Sequence, residues 1–245
     1  MSQEKAQVRP ADALDQQYEA VALELALKKA EEEAFRPNQL LSKEALTCRF
    51  KQELQDAFTS YRQQQCEGVV ALVRAIGELR IEITEELAAG LQRLASLSDK
   101  IAKDDRPELS LQEIANVDDA VMDILYQGAK RLFDQENFAD AAAAFRFLTS
   151  LNPKKYLFWQ ALAHAEFRQK HYQEALKVFS LLLVADPRDP ISYIATSSCH
   201  EELGNIPQAI DALNEALVAI EGVSEYAHLK GVMEQTKARL VQKQH

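Results

Sequence analysis

The sequence predicts an all-α protein whose second half is a stack of helix pairs and whose first half is a long helical extension. Three observations carry that prediction. Only seven glycines and seven prolines occur in 245 residues. That is under half of the roughly 12% of average usage, so the frequent turns of a β-sandwich or barrel are missing. Apolar residues from Leu46 to Ile101 recur at intervals of three and four, the period of one helix face. Finally, the segments preceding Pro153 and Pro187, which lie 34 residues apart, come into register when aligned, the mark of a structural repeat.

Composition narrows the functional classes. The 38 acidic and 28 basic side chains give a formal net charge of −10, which argues against nucleic acid or anionic lipid as the main partner. The excess is uneven: residues 1–120 carry 23 acidic and 15 basic side chains, residues 121–245 carry 15 and 13. Three cysteines (Cys48, Cys66 and Cys199) without CxxC spacing make a disulfide framework or thiolate zinc site unexpected. The N-terminus has no apolar h-region and no run approaches 18 apolar residues, so a cytoplasmic protein without membrane insertion is expected.

Residues 1–41 are expected to form a helical, partly flexible arm, with Leu14, Tyr18, Val21 and Leu25 on one face and a break at Pro37. Residues 42–103 then read as a long helix or as a hairpin. Leu46, Phe50, Leu54, Phe58 and Tyr61 begin a seam that Val69, Leu72, Ile76, Leu79, Ile83, Leu87, Leu91, Leu94 and Leu97 continue. A continuous helix of about 60 residues measures roughly 90 Å; residues 63–68, QQQCEG, offer a place to reverse it. The apolar seam needs cover from this chain or from a second copy in a homodimeric coiled coil. Residues 104–121 follow as linker and lead-in helix.

Three repeats occupy residues 122–223. The first (122–155) places Leu125, Ala129, Leu132, Ala141, Phe145, Leu148 and Pro153 in a frame. The second (156–189) answers with Trp159, Ala163, Ala175, Phe179, Leu182 and Pro187, and the third (190–223) with Tyr193, Ser197, Ala209, Leu213 and Ala216. The small residues let paired helices approach closely, the phenylalanines fill the space between repeats, and the prolines stop the second helices. This pattern resembles the tetratricopeptide repeat, a helix–turn–helix unit. The resemblance implies a superhelical solenoid, and residues 224–245 read as a capping helix and tail.

The lead-in LSLQEIANVDDAVMDILYQGAKRLF, the third-repeat opening DPRDPISYIATSSCHEELGN and the closing helix, over residues 109–242, resemble the class II chaperones of type III secretion. That resemblance implies a bacterial cytoplasmic chaperone whose partners are hydrophobic secreted translocators and the export apparatus. It implies a client segment resembling PxLxxP, extended and stiffened by proline. Two features depart from the family: Lys170 and His171 stand where it turns on glycine, and the N-terminal hundred residues exceed its short arm.

In such a solenoid the first helix of each repeat lines the concave face, with positions 2, 5, 9 and 12 pointing inward. Here those are Asp123, Tyr126, Lys130 and Phe133, then Leu157, Gln160, His164 and Phe167, then Ile191, Ile194, Ser198 and Glu201. The expected peptide-binding groove comprises Tyr126, Lys130, Phe133, Leu157, Gln160, His164, Phe167, Ile191, Ile194 and Ser198. Tyr126, Phe133, Phe167 and Ile194 supply apolar pockets, and Lys130, Gln160, His164 and Ser198 supply hydrogen bonds to an extended backbone. Phe167 also suits the inter-repeat core. No catalytic constellation, cofactor motif or metal set is expected. The five histidines lack ligand spacing, no glycine-rich phosphate loop occurs, and Cys199 reads as a packing residue. The alternative is an adaptor whose repeats bridge folded proteins. A groove offering chiefly Lys130 as a cation argues against its gripping an acidic tail.

Overall fold

The computed structural model describes residues 26–29, 31, 42–79, 84–96, 109–221, 223 and 226–243. No strand occurs among them. The expected arm residues 12–25, the break at Pro37 and the linker at 104–108 lie outside the described residues. The chain forms two compact units, residues 1–66 with 82–121 and residues 67–81 with 122–245.

Helix α1, Lys43–Leu79, runs without interruption through residues 63–68. Gly68 is the only poor helix former there, and one glycine costs a helix about 1 kcal/mol, too little to reverse it. In the first unit Leu46 and Phe50 are buried with Ala26, and Leu54 packs against them. The Lys29 ammonium stands 4.3 Å from the centre of the Phe50 ring. Helix α2, Glu85–Ala95, is capped by Thr84, whose hydroxyl accepts from the Leu87 amide at 3.2 Å. The short α3, Leu111–Ala115, begins with a capping box between Ser110 and Glu113. The buried Gln112 amide then donates to the Val117 carbonyl and to Asp119 Oδ1, both at 3.0 Å, fixing the turn into the repeats.

The second unit is the repeat stack. Its helix pairs are α4 (Asp119–Asp134) with α5 (Phe138–Leu151), α6 (Tyr156–Arg168) with α7 (Tyr172–Ala185), and α8 (Pro190–Glu202) with α9 (Ile206–Ala219). Helix α10, Ala227–Lys243, buries Met233 and Leu240 against Ala209, Leu213, Ala216 and Ile220. The small residues at Ala129, Ala141, Ala163, Ala175 and Ala209 are fully buried, which allows close helix approach. Ser197 replaces the alanine in the third repeat, and its hydroxyl donates to the Ala209 carbonyl across the pair at 2.8 Å. A buried hydroxyl there is satisfied rather than orphaned.

The three within-repeat turns share one hydrogen-bond pattern. The amides of Asn137, His171 and Asn205 donate to the carbonyls of Leu132, Glu166 and His200, closing each first helix as a Schellman motif does. The turn requires a left-handed residue, and Glu136 (φ 61°), Lys170 (φ 65°) and Gly204 (φ 76°) occupy it. A side chain in that conformation costs roughly 1–2 kcal/mol. Lys170→Gly is therefore expected to raise stability by about 1 kcal/mol, net of glycine's greater entropy when unfolded. An unchanged or lower melting temperature would contradict this account.

The last third of α1 belongs to the repeat unit. Ala71, Leu72, Ala75 and Ile76 are buried, and Ala75 and Ile76 lie where they would touch a side chain at Gly128 of α4, at 3.6 and 3.7 Å. Gly68 sits so close to α5 that an added Cβ would stand 2.5 Å from the Ala143 carbonyl oxygen and 2.6 Å from Phe147 Cβ. The space around Gly77, nine residues on, is open. The two positions predict opposite signs in thermal melts. Gly77→Ala stabilises by up to about 1 kcal/mol through helix propensity. Gly68→Ala destabilises by about 1–3 kcal/mol, because backbone must move.

Candidate peptide-binding groove

The first helices of the repeats carry the expected groove positions, and α4 and α6 bring four of them together. Tyr126, Lys130, Phe133 and His164, with Asp134, Phe145 and Ala161, line one concavity of about 350 Å³. Its floor comes from a second helix: Phe145 of α5, 2% exposed, reaches between α4 and α6. Tyr126 is half-buried. Its ring stacks on Phe158 and tilts against Phe145, each at 5.9 Å between centroids. Burial pushes its phenol above the usual tyrosine range. It is therefore both a pocket wall and part of the inter-repeat core.

Phe133 meets Phe138 edge-on at 5.2 Å, and the Arg168 guanidinium lies 4.3 Å from the Phe138 ring centre. Lys130 pairs with Asp134 at 2.7 Å on the next turn of α4, so the pocket's one lysine is already neutralised. His164 meets Phe179 edge-on at 5.5 Å. Burial pulls its imidazole below the usual histidine range, partly offset by Asp189, so at neutral pH it is an uncharged hydrogen-bonding group.

The other expected positions do not join this cavity. Leu157 and Ile191 are 49% and 38% exposed at the starts of α6 and α8. Gln160 is half-buried on α6. Phe167 packs edge-on against Tyr172 at 5.4 Å, against the cluster of Ala163, Phe179 and Cys199, in the inter-repeat position open to it from sequence. Ile194 packs against the Ala209–Leu213 cluster, and the Ser198 hydroxyl donates back to the Ile194 carbonyl at 3.1 Å. Asp123 is exposed, and Glu201 is engaged by α10. Sequence reasoning missed Asp134, Phe145 and Ala161. Asp134 was legible four residues after Lys130, a helical ion-pair spacing. Phe145 and Ala161 carry no groove signal, because they reach the cavity only once α5 and α6 are packed.

Among the described residues no group of three or more His, Cys, Asp or Glu is arranged to hold a metal. Cys199 is fully buried, and that burial pushes its thiol up to about 12, a packing environment rather than a nucleophile's. No described helix is long and apolar enough to cross a membrane.

The sequence pattern of the tetratricopeptide repeat matches residues 126–190 and 161–223. No curated protein sequence matches the chain. Among solved structures, the type III secretion translocator chaperone SycD of Yersinia enterocolitica is similar at 18% identity and a TM-score of 0.51, covering 54% of this chain and 98% of its own. A chain of the CopN–Scc3 complex is similar at 20% identity and a TM-score of 0.54, covering 63% and 99%. A chain of a type III secretion complex from Aeromonas hydrophila aligns at 17% and 0.53, covering 61% and 95%. Residues 126–223 thus match the tetratricopeptide repeat, and about half of the chain shares its fold with the translocator chaperone SycD.

Proposed function

We propose that this protein is a cytosolic chaperone of type III secretion that binds an extended segment of a hydrophobic translocator in its concave repeat groove. The reading rests chiefly on the apolar concavity of Tyr126, Phe133, Phe145 and Ala161, rimmed by Lys130 and His164. Its shape suits a single apolar side chain of an extended peptide, with polar groups beside it to orient the backbone. The shared fold with SycD, a translocator chaperone, supports the same reading. The mechanism is passive. The groove anchors the segment, which keeps the client from premature association until the export apparatus takes it, and no nucleotide is consumed.

Mass spectrometry of proteins that co-purify with the tagged full chain from its native cytosol tests this. The expected result is a near-stoichiometric protein with long hydrophobic helices, lost when the cavity is filled. Recovery of folded soluble proteins alone, unaffected by filling the cavity, would replace the chaperone with an adaptor.

A further inference from the structure

Helix α10 is basic in an acidic protein. Between Ala227 and Lys243 it carries Lys230, Lys237, Arg239 and Lys243 against one acidic residue, Glu234, while the whole chain has a net charge of −10. Met233 and Leu240 dock the helix through apolar burial.

Two of those cations converge on one carboxylate. Arg239 grips Glu201 in a fork, Nη1 to Oε1 at 2.5 Å and Nη2 to Oε2 at 2.7 Å, and Lys243 Nζ meets the same Oε1 at 2.6 Å. Glu201 is the twelfth residue of the third repeat, the position that the repeat register turns toward the concave face, one turn beyond Ser198. Its side chain is only 18% exposed, whereas those of Arg239 and Lys243 are 48% and 51% exposed. The Arg239 hydrogen bonds, with Lys243 adding to them, hold the Glu201 carboxyl down at about 2, so it stays ionised at any working pH.

One carboxylate balances one of the two cations and leaves a single positive charge. Among the described residues, the two acids closest in sequence, Glu202 and Glu234, are engaged elsewhere. Glu202 accepts from the Tyr172 hydroxyl at 3.2 Å, toward α7. Glu234 lines a separate hollow with Lys230 and Val218. The helix dipole favours a cation in the last turn of α10, but it does not account for two cations meeting on one groove residue. The remaining guanidinium and ammonium protons form a half-exposed donor set suited to a second carboxylate.

We infer that Arg239 and Lys243 form an anion-recognition position at the third-repeat end of the groove, which takes the side-chain carboxylate of an Asp or Glu in the bound segment. This inference rests on the peptide-groove reading above. It assigns the groove two subsites of different chemistry: an apolar anchor at Tyr126–Phe133, and a charge that sets the register of the segment. Exposed charge pairs contribute modestly to affinity and more to selection and association rate.

The probes are fluorescein-labelled, C-terminally amidated peptides with one PxLxxP anchor and a single Glu or Gln walked along either flank. Their anisotropy is measured with the full chain at 50 and 500 mM NaCl. At one register the Glu peptide is expected to bind 3–10-fold tighter than its Gln twin, and the advantage should disappear at high salt. It should also disappear in Arg239→Gln/Lys243→Gln, with the Gln peptide unaffected. Glu201→Gln supplies a variant that does not leave a carboxylate stranded; it frees both cations and should widen the preference for Glu. Equal binding of Glu and Gln peptides at every register, or an advantage that survives the double substitution, would overturn the inference while leaving the groove standing. A free C-terminal carboxylate that matches the internal Glu would overturn the side-chain assignment in favour of a chain end. Failure of every peptide, neutral ones included, would remove the groove reading and this inference together.

Discussion

Ala161→Trp should weaken client capture on the order of 30-fold while the repeats keep their helicity and melting behaviour. Ala161 is half-buried on α6 and presents only a methyl group to the 350 Å³ cavity, so an indole grows into empty space rather than into packed core. An anchoring side chain excluded from such a pocket costs about 2 kcal/mol or more, on the order of 30-fold in Kd. The direct alternative, Tyr126→Ala with Phe133→Ala, is a poorer probe. Tyr126 stacks on Phe158 and leans on Phe145, and truncating it also loosens the contact between the first two repeats. Undiminished client recovery with Ala161→Trp, measured by quantitative pull-down, would show that the client does not use this cavity.

Arg146→Met should cost about 1–3 kcal/mol of stability, the range for leaving a buried acceptor short of a partner. Glu166 lies on α6 with its side chain 3% exposed, and it is held by Arg146 from α5 on one oxygen and by His171 Nδ1 on the other at 3.1 Å. His171 is 57% exposed at the start of α7, a weaker substitute for a guanidinium. Adding Glu166→Leu should return most of the loss, because the apolar pair requires no desolvated charge. Urea titration, with the midpoint shifting and the slope unchanged, checks both variants. A loss below about 1 kcal/mol in Arg146→Met would mean that the carboxylate finds another partner. A stack of repeats transmits stability through neighbouring interfaces, so this cluster, spanning α5, α6 and the turn into α7, also joins the first repeat to the second.

Much of the repeat unit was legible in advance because its information is local. Ala129 and Ala141, Ala163 and Ala175, and Ser197 and Ala209 announce close helix pairs through spacing alone. The turn residues Glu136, Lys170 and Gly204 fall 34 residues apart on the same left-handed position. Lys170 departs from the glycine pattern without altering the turn, because the backbone bonds of the motif tolerate a side chain at a cost. Of the candidate groove, four of the ten expected positions meet in one cavity. Register alone put Tyr126, Lys130, Phe133 and His164 on the inner helices, but it also nominated Phe167 and Ile194, which packing draws partly into the inter-repeat core.

The amino-acid sequence by itself determined the repeat helices, their pairing and the phase of the repeats, since each depends on residues at most one repeat apart. Only the tertiary structure decided which helix closes the N-terminal end of the stack, what floors the cavity and where the C-terminal cations point. The last third of α1 packs on the first repeat because Gly68 admits the α5 backbone. Phe145 reaches the cavity from a second helix, and Arg239 and Lys243 reach Glu201 across 38 and 42 residues. Helix periodicity names the face that must be covered; which distant side chain covers it depends on volume and charge matching that exists only after the helices meet.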